Sequence, residues 1–207
     1  MAFSDFAFPS VLGELGVTLG PTVSLFTAVP SVAPRPVTVA SLVTGTRLGQ
    51  SAHTEMSRMI WMAGPVLSDF WERYNGSICL IAGAEFIADP ANRLSGFCDF
   101  VICHAPQQSV VLPPIVMIFE AKRDSLPNAF GQCIAGMVGA QRFNLRNNIP
   151  VEPIYGCATT GTSWKFLRLV GSTLTIDQDE YLVSQTERIL GILTHIVGPP
   201  PAVPNAA

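Results

Sequence analysis

Lysine occurs twice in these 207 residues, and one of the two, Lys122, closes the tripeptide Glu120-Ala121-Lys122 after an apolar run, Ile115-Val116-Met117-Ile118-Phe119. Such a run reads as a buried strand. Successive strand side chains alternate faces, so Glu120 and Lys122 point one way while Phe119 and Ala121 point the other. With eight Glu and two Lys in the chain, chance supplies about 0.08 Glu-x-Lys triplets (8 × 2/207), so counting favours a cause without naming one. A carboxylate and an ammonium on one strand face can make a surface ion pair. With a second carboxylate they can instead hold a hard cation and stabilise developing negative charge. Asp99, in Gly96-Phe97-Cys98-Asp99-Phe100, is that second carboxylate. Its apolar flanks make an idle charge costly, so it is either hydrogen-bonded or a ligand.

The elements that carry these residues follow from pattern. Pro9, Pro21, Pro30, Pro34 and Pro36 interrupt residues 1–50, which read as an irregular extension of short strands and loops packed on the core. From Ser51, Met56, Met59, Ile60, Ala63, Leu67, Phe70 and Trp71 recur at helical spacing, with a restart at Gly64-Pro65 and Glu55 in the first turn. Residues 77–87 and 96–103 flank the turn formers Asp89-Pro90-Ala91-Asn92 and read as a hairpin. A third strand over 115–122 precedes a helix over 128–146, whose Gly136, Gly139 and Ala140 let it lie close against a sheet. Strands at 154–159 and 164–169 turn at Thr160-Gly161, a short strand covers 173–176, and a last helix runs from about 180 to 197. The proline-rich tail, 198–207, reads as disordered. The expected architecture is one α/β domain over 51–197, with a central mixed sheet flanked by helices.

Composition bounds the partners. Charged residues make up 13% of the chain and hydrophobic ones 48%, so part of the apolar surplus is expected in a homo-oligomeric interface. A net charge of −3 gives no global basic field, so any polyanion must meet a local patch, for which Arg93, Arg123, Arg142, Arg146, Lys165 and Arg168 are candidates. Five scattered cysteines without C-x-x-C spacing read as reduced core residues. With no apolar span or leader pattern, a cytoplasmic protein without a membrane segment is expected. There is no Gly-x-Ser-x-Gly elbow, and Gly156 to Gly161 lacks the Lys-Ser/Thr ending of a phosphate loop.

The order helix, hairpin, strand ending in Glu-x-Lys, helix, strand resembles the PD-(D/E)XK nuclease superfamily, the restriction-endonuclease-like fold. The matching positions are Asp99, Glu120, Lys122, Glu55 in the preceding helix and Gln132 in the following one. The resemblance covers roughly residues 51–169. It departs from the superfamily pattern where Cys98 stands in place of the Pro before the Asp, and where Gly136 follows Gln132 by four residues. It implies Mg²⁺, or Mn²⁺, held by Asp99, Glu120 and the Ala121 carbonyl, with the ion lowering the pKa of a water. Lys122 would then orient the attacking water, Glu55 would complete a second metal position, and Gln132 would hold phosphate or water. Glu72 or Glu85 can take the helix carboxylate's role. The implied activity is hydrolysis of phosphodiester bonds in DNA, in preference to RNA.

Each residue also has a structural reading: a strand-end ion pair for Glu120 and Lys122, a buried hydrogen-bonded Asp99, a helix N-terminal charge for Glu55 and a plain helix position for Gln132. On those readings the chain is a catalytically inactive binding or assembly module on the same fold, or an unrelated α/β enzyme.

Overall fold

Ile115–Ala121 is buried at all seven positions, as a strand covered on both faces of a sheet must be. The computed structural model that shows this describes residues 2–92 and 94–201. Arg93 and residues 202–207 of the expected tail lie outside the described residues. In chain order the elements are helix α1 (Ser10–Leu15), strand β1 (Thr18–Leu19), helices α2 (Pro36–Ser51) and α3 (Glu55–Arg58), a π-helical turn (Met59–Ala63), and helix α4 (Gly64–Glu72). Strands β2 (Cys79–Asp89), β3 (Leu94–Cys103) and β4 (Ile115–Ala121) follow, then helix α5 (Pro127–Arg146). Strands β5 (Ile154–Thr159), β6 (Ser163–Val170), β7 (Thr173–Ile176) and β8 (Tyr181–Leu182) and helix α6 (Thr186–Val197) complete the fold.

The strands form one mixed eight-stranded sheet in the order β1-β7-β6-β5-β4-β3-β2, with β8 paired to β6 outside that path. β2, β3 and β4 are an antiparallel meander, and α5 carries the chain from β4 to the parallel strand β5. One face packs Val101 and Ile118 against α5 and against Phe3, Phe6 and Val11 of the N-terminal segment. The other packs Phe100, Phe119, Trp164 and Phe166 against the π turn, α4 and α6. All five cysteines are buried and free. Among the described residues no helix is long and apolar enough to cross a membrane.

Three expectations change. Residues 1–50 are not all strands and loops, because Pro36–Ser51 is a helix. Every proline of that region precedes residue 37, and Pro36 sits in the first turn, where a missing N–H is harmless. Met56 and Ile60 leave the expected apolar stripe and are exposed, while Met62 joins the expected Met59 and Ala63 in the core, because the wider π turn re-phases the helix. The last helix starts at Thr186 rather than near 180, because Tyr181–Leu182 pairs with Trp164 and Ser163 as a strand.

Asn144 ties α5 to the sheet. Fully buried, it donates to the Ile115 carbonyl at 2.7 Å and accepts from the Ile115 N–H at 2.8 Å. Asn144→Ala leaves both backbone groups unpaired, which is expected to destabilise the fold by about 2 to 6 kcal/mol, 1 to 3 for each group, measurable by urea unfolding.

Candidate functional site

Strand register brings the two carboxylates together. β3 and β4 pair Phe100 with Phe119 and Val101 with Ile118, which sets Asp99 across from Glu120. On the other side of β3 the register with β2 runs on unshifted at the same level, but the backbone conformation changes. Ala82 pairs with Phe100 and Ala84 with Cys98, while Gly83 between them takes φ +61°. A left-handed glycine there breaks the alternation of faces. Cys98 and Val101, three residues apart, accordingly both join the core on the α5 face. Asp99 lies at this break, and its Oδ2 accepts the backbone N–H of Ala121 at 2.6 Å.

Glu120 has no exposed surface, and neither carboxylate oxygen meets a donor in hydrogen-bonding geometry. Its neighbours are Asp99, Lys122 and the Cys98 thiol. Burial pushes its carboxyl well above the ordinary value, the Asp99 charge adds to that, and Lys122 opposes it. Burial also raises Asp99, against the lowering effects of the Ala121 N–H and Lys122. The thiols of Cys98 and Cys133 are pushed well up, first by burial and then by Glu120.

Lys122 lies one residue past β4, where its backbone N–H still donates to Thr159 at 2.9 Å and so continues the pairing with β5. Its Nζ donates to Gln132 Oε1 at 3.2 Å and sits 3.8 Å from Glu55 Oε1. Gln132 in turn donates to the Phe97 carbonyl at 3.3 Å. Lys122 therefore bridges the start of α3 and the first turns of α5. Its side chain is 27% exposed and that of Glu55 39%, so the ammonium reaches solvent. A cleft of about 400 Å³ opens there, with His53, Thr54 and Glu55 on one wall and Lys122, Arg123, Asp124 and Asn128 on the other. Burial raises the Glu55 carboxyl, with Lys122 lowering it and Asp99 and Asp124 adding to the rise.

Asp99, Glu120, Lys122, Glu55 and Gln132 are thus gathered in one place. Glu72 is placed elsewhere, 4.0 Å from Arg35, and Glu85 is exposed on β2 opposite Phe97. The loose basic cluster is not assembled. Arg142 pairs with Asp89, Arg146 donates to the Ala88 and Ile87 carbonyls, Lys165 donates to Gln178, and Arg168 lies on β6. Of its described members only Arg123 lines the cleft, paired with Asp124 at 2.6 Å.

The sequence reading missed His53, Thr54 and Asn128 in the cleft wall. Thr54 carries a local signal, since it is the N-cap whose hydroxyl accepts the Ser57 N–H at 3.1 Å. His53 carries none, because its left-handed φ of 51° is visible only in the folded backbone.

Among the described residues no three His, Cys, Asp or Glu side chains group closely enough to hold an ion alone. The donor set available is Asp99, Glu120 and the Ala121 carbonyl. All are hard oxygens, as Mg²⁺ or Mn²⁺ prefers. The two buried oxygens of Glu120, which meet no donor within hydrogen-bonding distance and angle, fit such a ligand, because Lys122 and the Cys98 thiol compensate the burial of that charge only in part. No protein-family model, no characterised protein and no solved structure matches the chain.

Proposed function

We propose that this chain hydrolyses phosphodiester bonds of DNA, in preference to RNA, with Mg²⁺ or Mn²⁺ held by Asp99, Glu120 and the Ala121 carbonyl. The observation that carries the reading is the fully buried carboxylate of Glu120 beside Asp99, next to the Lys122 ammonium in the wall of an open cleft that neither carboxylate itself lines. The span from α3 to β5 supports a restriction-endonuclease-like core. It supplies a helix, an antiparallel meander ending at Glu-x-Lys, a helix and a parallel strand.

When bound, the ion supplies charge neutralisation at the phosphate oxygens and a lowered water pKa. The protein's own groups do the rest. Lys122, held by Gln132 and Glu55, is a cation in the cleft wall that would stabilise the charge developing on the phosphate and orient the attacking water. Gln132 acts through Lys122, whose ammonium it links to the Phe97 carbonyl. Asp99 keeps one carboxylate oxygen on the Ala121 N–H, which fixes its angle.

The same Lys122 contacts favour one rival, a catalytically inactive binding or assembly module, because they would hold the site together with no ion present. Incubation of the purified chain with linear and circular DNA in Mg²⁺, Mn²⁺ or EDTA separates the two. Metal-dependent strand breakage is expected. DNA retention that ignores EDTA, with no breakage at any Mg²⁺ or Mn²⁺ concentration, would establish the binding module instead.

A further inference from the structure

Only three of the sixteen residues of α2, namely Thr38, Gly45 and Gly49, are buried. Gly45 explains how so bare a helix is held. A Cβ there would lie 2.0 Å from the Trp61 carbonyl oxygen, so the two backbones touch directly and the rest of α2 projects outward. What projects is apolar. Val37 is 61% and Val43 66% exposed, with Val39 and Leu48 beside them, and the adjoining Met56, Ile60 and Trp61 are exposed too. Residues 15–54 contain no Asp or Glu, and Arg47 is the one charge on α2.

The helix forms a ridge between two grooves. One, of about 510 Å³, is walled by Val37, Leu48, Ile60 and Trp61. The other, of about 500 Å³, runs between α2 and the start of α6, with Val39, Val43, Arg47, Val183 and Glu187 in its walls. We propose that this face is an isologous dimer interface, the α2 ridge of each copy lying in the α2–α6 groove of the other.

Area, shape and charge each favour a second copy of this chain. A helix of this length, about 24 Å, offers roughly 400 Å² from half its surface, and the flanking turn and groove walls bring the patch near the ~800 Å² per partner of a stable interface. A two-fold contact requires ridge and groove on the same patch, and both are present. Arg47 and Glu187 share one groove, so a two-fold axis passing between them sets Arg47 of each copy against Glu187 of the other. A lipid surface is the poorer fit. Membrane-lying helices carry several cations, and here Arg47 stands alone while Arg35 is tied to Asp69 at 3.4 Å.

Sedimentation equilibrium of the full chain tests this. A dimer is expected at about 10 μM, and Val43→Glu is expected to raise its Kd about a hundredfold or more. Arg47→Glu and Glu187→Arg should each weaken the dimer about tenfold, and the double exchange should restore it. Circular dichroism of each variant checks that it is folded, and since all three side chains are exposed, unfolding is not expected. A wild-type monomer at about 100 μM overturns the proposal. So does a dimer indifferent to Val43→Glu, a double exchange that fails to restore, or a monomer that instead binds phosphatidylserine vesicles.

Discussion

Glu120→Met is expected to make the protein more stable while abolishing metal-dependent cleavage. Replacing a buried charge by an apolar side chain of similar volume typically gains about 1–4 kcal/mol. Glu120 meets the condition, being fully buried with the Cys98 thiol and Lys122 offsetting its burial only in part. The gain should depend on pH, with a sign that follows from the raised carboxyl pKa. Between the ordinary carboxylate value and the raised one, the folded chain holds a proton that the unfolded chain has lost, so wild-type stability falls as pH rises through that window. The advantage of methionine is therefore small near pH 4 and larger near pH 8. Urea unfolding at both values measures it. In the same experiment Mg²⁺ should stabilise the wild type in proportion to the logarithm of its concentration and leave Glu120→Met unmoved. If methionine is destabilising at pH 8, the carboxylate is compensated by the protein itself and the metal site is wrong.

Lys122→Met carries the other large effect. Loss of a positioned cation of this kind is expected to lower kcat about 10²–10³-fold. The fold should lose about 1 kcal/mol or less, because a half-exposed ion pair 3.8 Å long contributes little. Single-turnover cleavage at saturating DNA separates this from weakened binding, since a KM effect with kcat intact would reduce Lys122 to a DNA contact. The nearest other cation in the cleft, Arg123, is paired with Asp124 at 2.6 Å. The only other lysine, Lys165, lies on β6 and donates to Gln178.

Much of this site was legible before folding because strand and helix periodicity are local. The apolar run ending at Glu120, the Gly-x-x-Asp strand and the turn formers between 89 and 92 place Asp99, Glu120 and Lys122 on two neighbouring strands. Misreadings arose where a local signal is ambiguous. Pro36 carries a breaker's signal, yet it starts α2, since proline both ends and begins helices. Residues 180–185 have helical composition, yet Tyr181 is captured by β6 and its hydroxyl by Asp177.

By itself, then, the sequence determined which carboxylates and which lysine share the strands of the meander, because side-chain alternation depends on nothing beyond the strand. The tertiary structure alone decided four further matters. Among Glu55, Glu72 and Glu85, packing across the sheet brings Glu55 to Lys122 from 67 positions away. The fold joins Gln132 to Lys122 instead of leaving it an ordinary helix position. The left-handed Gly83 opposite Asp99 then sets how the strand carboxylates meet, and burial gives Glu120 its proton affinity. Each depends on chain segments distant in sequence and on the loss of water around a charge, neither of which is encoded in a local pattern.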